Sequence, residues 1–301
     1  MTAIAVLGST NMDLVAYVPK APRLGETVTG REFRTVPGGK GANQAVAAAL
    51  LGGEVVMIGA VGADAFGVRL RAALSASGVD TTALRTVEGA SGTAHITVDD
   101  EGANSIIVIP AANALVTGLE AGDEARIGSA DSLLLQLELP LEAVAAGARA
   151  ARAHGVRTVL TPAPARPLPR DLLELVDVLV PNEHEAATLT GFTDPLGAAE
   201  ALLREVPEVV VTLGAAGALY AARGREPLTV AAPRVRAVDT TAAGDTFVGA
   251  LAVALGEGRP MPEALAWAAC GAALSVQRPG AQDSMPSRAD LVAFAAGQGI
   301  R

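Results

Sequence analysis

Short, uninterrupted apolar runs alternate with alanine-rich stretches along the whole of this chain. The runs occupy residues 4–8, 55–59, 132–137, 158–161, 178–180 and 209–213. Between them, residues 42–51, 141–153, 183–189 and 196–205 carry helical character. A strand that is apolar on both faces must be covered on both faces, and alternating helices supply that cover. The pattern predicts a mostly parallel sheet between helices. Ligands of such sheets bind outside the carboxyl ends of the strands. The first candidates for a site are therefore Asn11 and Asp13 after the first run, Asn182 after the fifth, and Thr212 to Gly217 at the end of the sixth.

Residues 15–36 and 91–109 break the pattern. They hold alternating runs rich in Thr and Val, with turns such as Asp100-Glu101-Gly102, and read as antiparallel strands of a small second sheet. Half of the 301 residues are hydrophobic, 18% are charged and 3% aromatic, so one large core built from Ala, Val and Leu is expected. The net charge of −9 argues against nucleic acid or an anionic membrane as partner. It also means that an anionic substrate needs local help, from helix N-termini or a metal ion. The single cysteine, Cys270, cannot form an internal disulfide, which fits a reducing, cytoplasmic setting. Residues 1–8 lack a basic region and are too short for a signal peptide, and no apolar run is long enough for a membrane span.

Two stretches carry chemistry. In Val238-Asp239-Thr240-Thr241-Ala242-Ala243-Gly244-Asp245-Thr246-Phe247, small residues lie between two aspartates and lead into an apolar helical pattern. The first N–H groups of a helix have no intrahelical partner and favour an anion. Asp245 beside them suits a base that takes a proton from a hydroxyl as phosphate arrives, although an aspartate there also reads as a helix cap. The second stretch, Pro37-Gly38-Gly39-Lys40-Gly41-Ala42-Asn43-Gln44-Ala45, leaves bare backbone for a ligand, and Asn43 can both donate and accept hydrogen bonds. It is not a GxxxxGK[ST] phosphate loop, and no GxGxxG fingerprint occurs. Lysine occurs only as Lys20 and Lys40. His95, His154 and His184 share no spacing that would suggest a metal site or a histidine-based nucleophile.

The two glycine stretches together resemble the ribokinase-like family of sugar kinases, from Ala5 to about Phe294. The supporting markers are Gly8-Ser9-Thr10-Asn11-Met12-Asp13, Leu24-Gly25-Glu26-Thr27-Val28, Pro162-Ala163-Pro164-Ala165 and Pro181-Asn182-Glu183. The resemblance implies a single catalytic domain, an α/β three-layer α/β/α sandwich, with a discontinuous β lid formed by residues 14–36 and 91–110 and shared in a homodimer. It implies ATP-dependent phosphorylation of the terminal hydroxyl of a pentose such as D-ribose, with Mg²⁺ and an activating K⁺. Asp245 matches the family's base, and the N–H groups of Ala242, Ala243, Gly244 and Asp245 match its anion hole. Asn11, Asp13, Gly39, Lys40, Asn43, Glu138 and Asp245 match positions around the sugar. Asn182, Thr212, Leu213, Gly214, Ala215, Ala216, Gly217, Gly244 and Asp245 match nucleotide contacts, and Glu185 matches an indirect Mg²⁺ contact. Asp239, Thr241, Ser275, Arg278, Gly280 and Ser284 match the potassium site, several of them through backbone carbonyls.

Some positions depart from the family pattern. Ala111 stands where relatives usually have glycine, Val248 where an asparagine is common, Ala268 and Ala269 where some have a polar residue, and Asp283 adds a charge. Each group also has a plain structural role open to it. Asp13 could cap a loop, Asn182 a helix, and Glu138 could be a surface carboxylate ahead of Pro140. Other readings are a kinase of another sugar or a nucleoside, a catalytically silent sugar sensor, and an oxidoreductase, which would lack its usual loop.

Overall fold

A computed structural model describes residues 1–300. Among the described residues, thirteen strands fall into two sheets. The strands are β1 (Ala3–Leu7), β2 (Asn11–Tyr17), β3 (Glu32–Gly38), β4 (Glu54–Gly62), β5 (Leu84–Val87), β6 (Gly92–Val98), β7 (Asn104–Ile109), β8 (Ser132–Leu135), β9 (Arg157–Leu160), β10 (Val178–Leu179), β11 (Glu208–Thr212), β12 (Ala218–Ala222) and β13 (Leu228–Val230). The helices are α1 (Lys40–Leu50), α2 (Ala65–Ala76), α3 (Asp123–Gly128), α4 (Leu141–His154), α5 (Arg170–Leu173), α6 (Glu183–Thr190), α7 (Pro195–Leu202), α8 (Ala243–Gly256), α9 (Met261–Ser275) and α10 (Arg288–Gly297).

The large sheet runs β13-β12-β11-β10-β9-β8-β1-β4-β5. It is parallel from β11 to β5, and the hairpin partners β12 and β13 are antiparallel. Side chains alternate across a strand, so each apolar run feeds two cores. Ile4 and Val6 join the core under α1, α8 and α9, while Ala5 and Leu7 join the core on the opposite side, under α4 and α7. Leu134 and Val210 repeat the first choice, and Leu133, Leu135, Val209 and Val211 the second. The expected parallel sheet between helix layers is thus observed, with β5, β12 and β13 added to the strands read from the apolar runs. Those three are short, alanine-bearing or partly exposed, so they carry little apolar signal.

The small sheet runs β3-β2-β6-β7. Each hairpin is antiparallel, but β2 and β6 pair in parallel where the hairpins meet. The sequence reading of these segments as antiparallel throughout is corrected at that seam. Asn11 and Asp13, expected just after β1, lie at the start of β2. Every residue of β7 is exposed.

Candidate active site

Carboxyl ends of the parallel strands, the start of α1 and the start of α8 meet at one place. Helix α8 begins after Ala242, whose φ of 57° puts it in the left-handed region and turns the chain sharply into the helix. The N–H groups of Ala242, Gly244 and Asp245 have no hydrogen-bond partner among the described residues. Ala243 differs from expectation: its N–H reaches the Thr240 carbonyl at 3.2 Å. Three of the four expected amides are therefore free, and the fourth closes the turn that presents them.

Asp245 is 8% exposed. Asn43 Nδ2 donates to its Oδ2 at 3.1 Å, and Gln44 Nε2 to its Oδ1 at 3.1 Å. Each donor is oriented from behind. Gln282 Nε2 donates to Asn43 Oδ1 at 3.1 Å, and Gln136 Nε2 to Gln44 Oε1 at 2.7 Å. Gln44 Nε2 also reaches Thr161 Oγ1 at 3.2 Å. Burial pushes the Asp245 carboxyl above the usual carboxylate range, against the pull of Lys40 and the two amides. That combination gives a carboxylate of raised basicity held in one orientation.

Asp13 lies close to Glu138, Asp245 and Lys40. Burial, then the neighbouring charges of Glu138 and Asp245, push its carboxyl up to about 7 against the pull of Lys40. Burial disfavours the Lys40 ammonium, but Asp245, Glu138, Glu185 and Asp13 outweigh it and raise its pKa. Glu138, just past β8, accepts from Ser9 Oγ and from the Lys40 N–H, the latter at 3.0 Å. It is therefore tied to the start of α1 and is not the free surface carboxylate that the sequence also allowed. Gly39 caps α1 with φ 92°, and a Cβ there would lie 2.7 Å from Asn11 N, so the glycine lets α1 start against β2. Asn11 is 2% exposed, and its Oδ1 accepts from Asn113 Nδ2 at 2.8 Å.

Across α8 from this cluster lies a cavity of about 510 Å³, lined by Thr212, Gly214, Ala215, Gly217, Ala243, Gly244, Phe247 and Ala269 and by the segment after β13 that includes Ala232 and Val235. Its size suits a nucleotide-sized ligand. Leu213 and Ala216 share the turn but do not line the cavity; Leu213 packs into the core under α4 and α7. Asn182 caps α6, and its Oδ1 accepts from the Glu185 N–H while Glu185 Oε2 accepts from the Asn182 N–H, both at 2.8 Å. The capping role open to Asn182 is thus real, and it takes one Glu185 oxygen. Burial raises the Glu185 pKa. Asn182 also bridges to Thr212, next to the cavity.

Asp239 Oδ1 accepts from the N–H and hydroxyl of Thr241, and Oδ2 from the Gly280 N–H, at 2.9, 2.6 and 2.8 Å. These bonds hold its carboxyl below the usual range, against burial. Ser275 and Ser284 are buried, with hydroxyls donated to the Ala272 and Ala281 carbonyls. The Arg278 guanidinium faces Asp290 at 3.7 Å, so only its carbonyl could serve this site. Among the departures, Ala111 holds φ 43°, Val248 is buried in the α8 core, and Ala269 but not Ala268 lines the cavity. Asp283 lies with its Cβ close to Gly280.

Residues 1–288 match the model of the pfkB family carbohydrate kinases. The chain belongs to this family. Its pfkB relatives include ribokinase of Bacillus subtilis, 45% identical with 97% of this chain and 98% of that protein covered. Ribokinase of Haemophilus influenzae is 41% identical, with 97% of each covered. Arabidopsis thaliana ribokinase, whose structure holds ribose and ATP, superposes with a TM-score of 0.92 at 34% identity, over 98% of this chain and 99% of that one. Within this pfkB chain the sequence missed Gln44, Gln136, Thr161, Gln282 and Asn113. The available signal was a polar residue inside an apolar run, as in Leu133-Leu134-Leu135-Gln136-Leu137.

Proposed function

We infer that this protein catalyses the ATP-dependent phosphorylation of D-ribose at its 5-hydroxyl, the ribokinase reaction. The observation that carries this is the buried Asp245 carboxylate, set beside three free amides at the start of α8, between a cluster of polar groups and a nucleotide-sized cavity. On this reading the sugar lies against Asn11, Asp13, Gly39, Lys40, Asn43 and Glu138. A carboxylate and carboxamides recognise hydroxyls directionally, as an apolar pocket cannot. ATP occupies the cavity, with Thr212, Gly214, Ala215 and Gly217 along its wall and Asn182 beside it. Asp245 takes the proton of the 5-hydroxyl as that oxygen attacks the γ-phosphorus, and the bond to the β-phosphate bridging oxygen breaks. The N–H groups of Ala242, Gly244 and Asp245 stabilise the charge on the transferred group.

Mg²⁺ would be carried mainly by the nucleotide phosphates and water, with Glu185 acting at one remove. No cluster of three or more His, Cys, Asp or Glu residues is present among the described residues, which fits an ion that keeps its waters. When bound it neutralises phosphate charge. For K⁺, the hydrogen bonds that join Asp239 to Thr241 and Gly280 support a site there, to which Ser275 at the end of α9, and Arg278 and Ser284 after it, would add carbonyl oxygens. An all-oxygen set fits a hard monovalent cation. A homodimer through the four-stranded sheet, acting as a lid, is supported by the exposed Phe33, Ile106, Ile107 and Ile109 on that sheet. No helix of the described residues is long and apolar enough to cross a membrane. A cytoplasmic setting is supported by the buried free Cys270 and by ATP as co-substrate.

A panel of ribose, 2-deoxyribose, fructose and adenosine with ATP and Mg²⁺, with and without K⁺, tests this reading. Ribose 5-phosphate is the expected main product, formed faster with K⁺. ATP consumption at background with every sugar would overturn the kinase reading.

A further inference from the structure

Asn113, in the short 3₁₀ turn that follows β7, is 1% exposed and uses both ends of its carboxamide on the chain that enters β2. Its Oδ1 accepts from the Thr10 N–H at 3.0 Å, and its Nδ2 donates to the Thr10 carbonyl at 3.0 Å. A backbone N–H can only donate and a carbonyl can only accept, so the orientation of this carboxamide is fixed from both sides. The same Nδ2 then faces Asn11 Oδ1 at 2.8 Å. Asn11 is left no choice of orientation: its oxygen is consumed by Asn113. Its Nδ2 has no partner among the described residues and is not a sealed, unsatisfied atom.

Room for the pair is made separately. A Cβ at Gly92 would lie 2.2 Å from Asn113 Nδ2 and 2.3 Å from Asn11 Oδ1. Gly92 is the partner of Asn11 in the parallel β2–β6 seam. Thr10 itself is anchored to the body through its hydroxyl, which donates to the Ala60 carbonyl at 2.8 Å. A line of fixed polarity thus runs from the backbone of Thr10 through Asn113 to Asn11.

We propose that Asn113 is a positioning residue that forces Asn11 to act as a hydrogen-bond donor to the sugar, so that Asn11 and Asp13 form a donor–acceptor pair on β2 which selects the hydroxyl pattern of the substrate. This rests on the sugar site given above. Asn11 offers N–H to a hydroxyl oxygen, Asp13 accepts hydroxyl hydrogens, and a sugar lacking that hydroxyl leaves the Asn11 donor unpaired. Asn113 touches no substrate; it acts through the orientation of Asn11.

Two variants test this, read by ribose calorimetry alongside steady-state kinetics with ribose, 2-deoxyribose and 3-deoxyribose. Asn113→Asp sets an acceptor against both the Thr10 carbonyl and Asn11 Oδ1. The ribose Kd and KM should rise about tenfold or more. kcat should change by no more than about threefold, and discrimination against one of the two deoxy sugars should shrink. Asn11→Asp keeps an oxygen facing Asn113, so the buried pair survives, but it turns an acceptor toward the sugar. It should reproduce the same loss of affinity with a melting temperature close to wild type, and it decides the matter if Asn113→Asp fails to fold. Unchanged ribose affinity in Asn11→Asp, or in a folded Asn113→Asp, would overturn the proposal. So would a fall in kcat alone. A wild type that binds ribose but does not turn it over would sink the kinase reading and leave this one standing.

Discussion

The two ends of the large sheet are built on opposite electrostatic plans. At the amino ends, Arg152 faces Asp177 at 3.7 Å, and Arg170 faces Glu174 and Glu205 at 3.1 and 3.7 Å, all as partly or largely exposed pairs. At the carboxyl ends, Asp245 is buried and Asp13, Glu138 and Lys40 are half-buried around it, and burial shifts Asp13 and Asp245 upward. Exposed pairs contribute little and cost little. A largely desolvated group of carboxylates around one ammonium is unfavourable for folding and persists only because the surrounding structure fixes it. The comparison teaches that the end of the sheet where the fold tolerates strained electrostatics is the end that does chemistry.

The sharpest way to break the comparison is Asp245→Asn. kcat with ribose should fall by about 10²–10⁴ in a coupled assay of ADP release, because a base is removed and its amide donors lose their charged partner. Gly244→Val should come next. A Cβ at Gly244 meets no protein atom outside its own turn within 4 Å, so the helix start has room for a side chain, which would occupy space beside the free amides. A loss of kcat comparable to removing an oxyanion donor, roughly 10²-fold, is expected at an unchanged melting temperature.

Asp13 sharpens the contrast through pH. Its folded pKa, about 7, lies above the ordinary carboxylate value of 3.8, so below pH 7 it is largely protonated and cannot accept two hydroxyl donors. kcat/KM for ribose should rise about tenfold per pH unit toward pH 7 and then level off, and Asp13→Asn should flatten that limb at a lower value. The same shift has a sign for folding. Between about pH 4 and 7 the native state holds a proton that the unfolded chain has released, so this group's contribution to stability falls as pH rises and is constant above 7. The smallest effect belongs to the other end of the sheet. Arg170→Ala removes a side chain that is 77% exposed, and should change stability by less than about 0.5 kcal/mol and leave kcat alone.

Much of this arrangement was legible in the sequence, for physical reasons. Uninterrupted apolar runs such as that of β1 can only be strands covered on both faces, so the layers followed. Clustered small residues before an apolar helix marked the turn at Ala242, and the glycines before Lys40 marked the start of α1. The illegible parts depend on long-range contact. Gln136 orients Gln44 across 92 residues, and Asn113 orients Asn11 across 102, and nothing local announces either pairing. The parallel seam between β2 and β6 was missed because each hairpin alone is antiparallel, and only their assembly decides how they meet. Ala243 was grouped with its neighbours because sequence cannot tell which N–H of a turn closes it and which stay free.

Calorimetric titration of ribose into wild type and Asp245→Asn, set beside their turnover, tests the central claim most directly. If the buried carboxylate acts as the base, ribose affinity stays within about threefold while turnover falls at least about a hundredfold. Turnover at the wild-type rate in Asp245→Asn, or a loss of turnover that merely follows a loss of ribose binding, would contradict it.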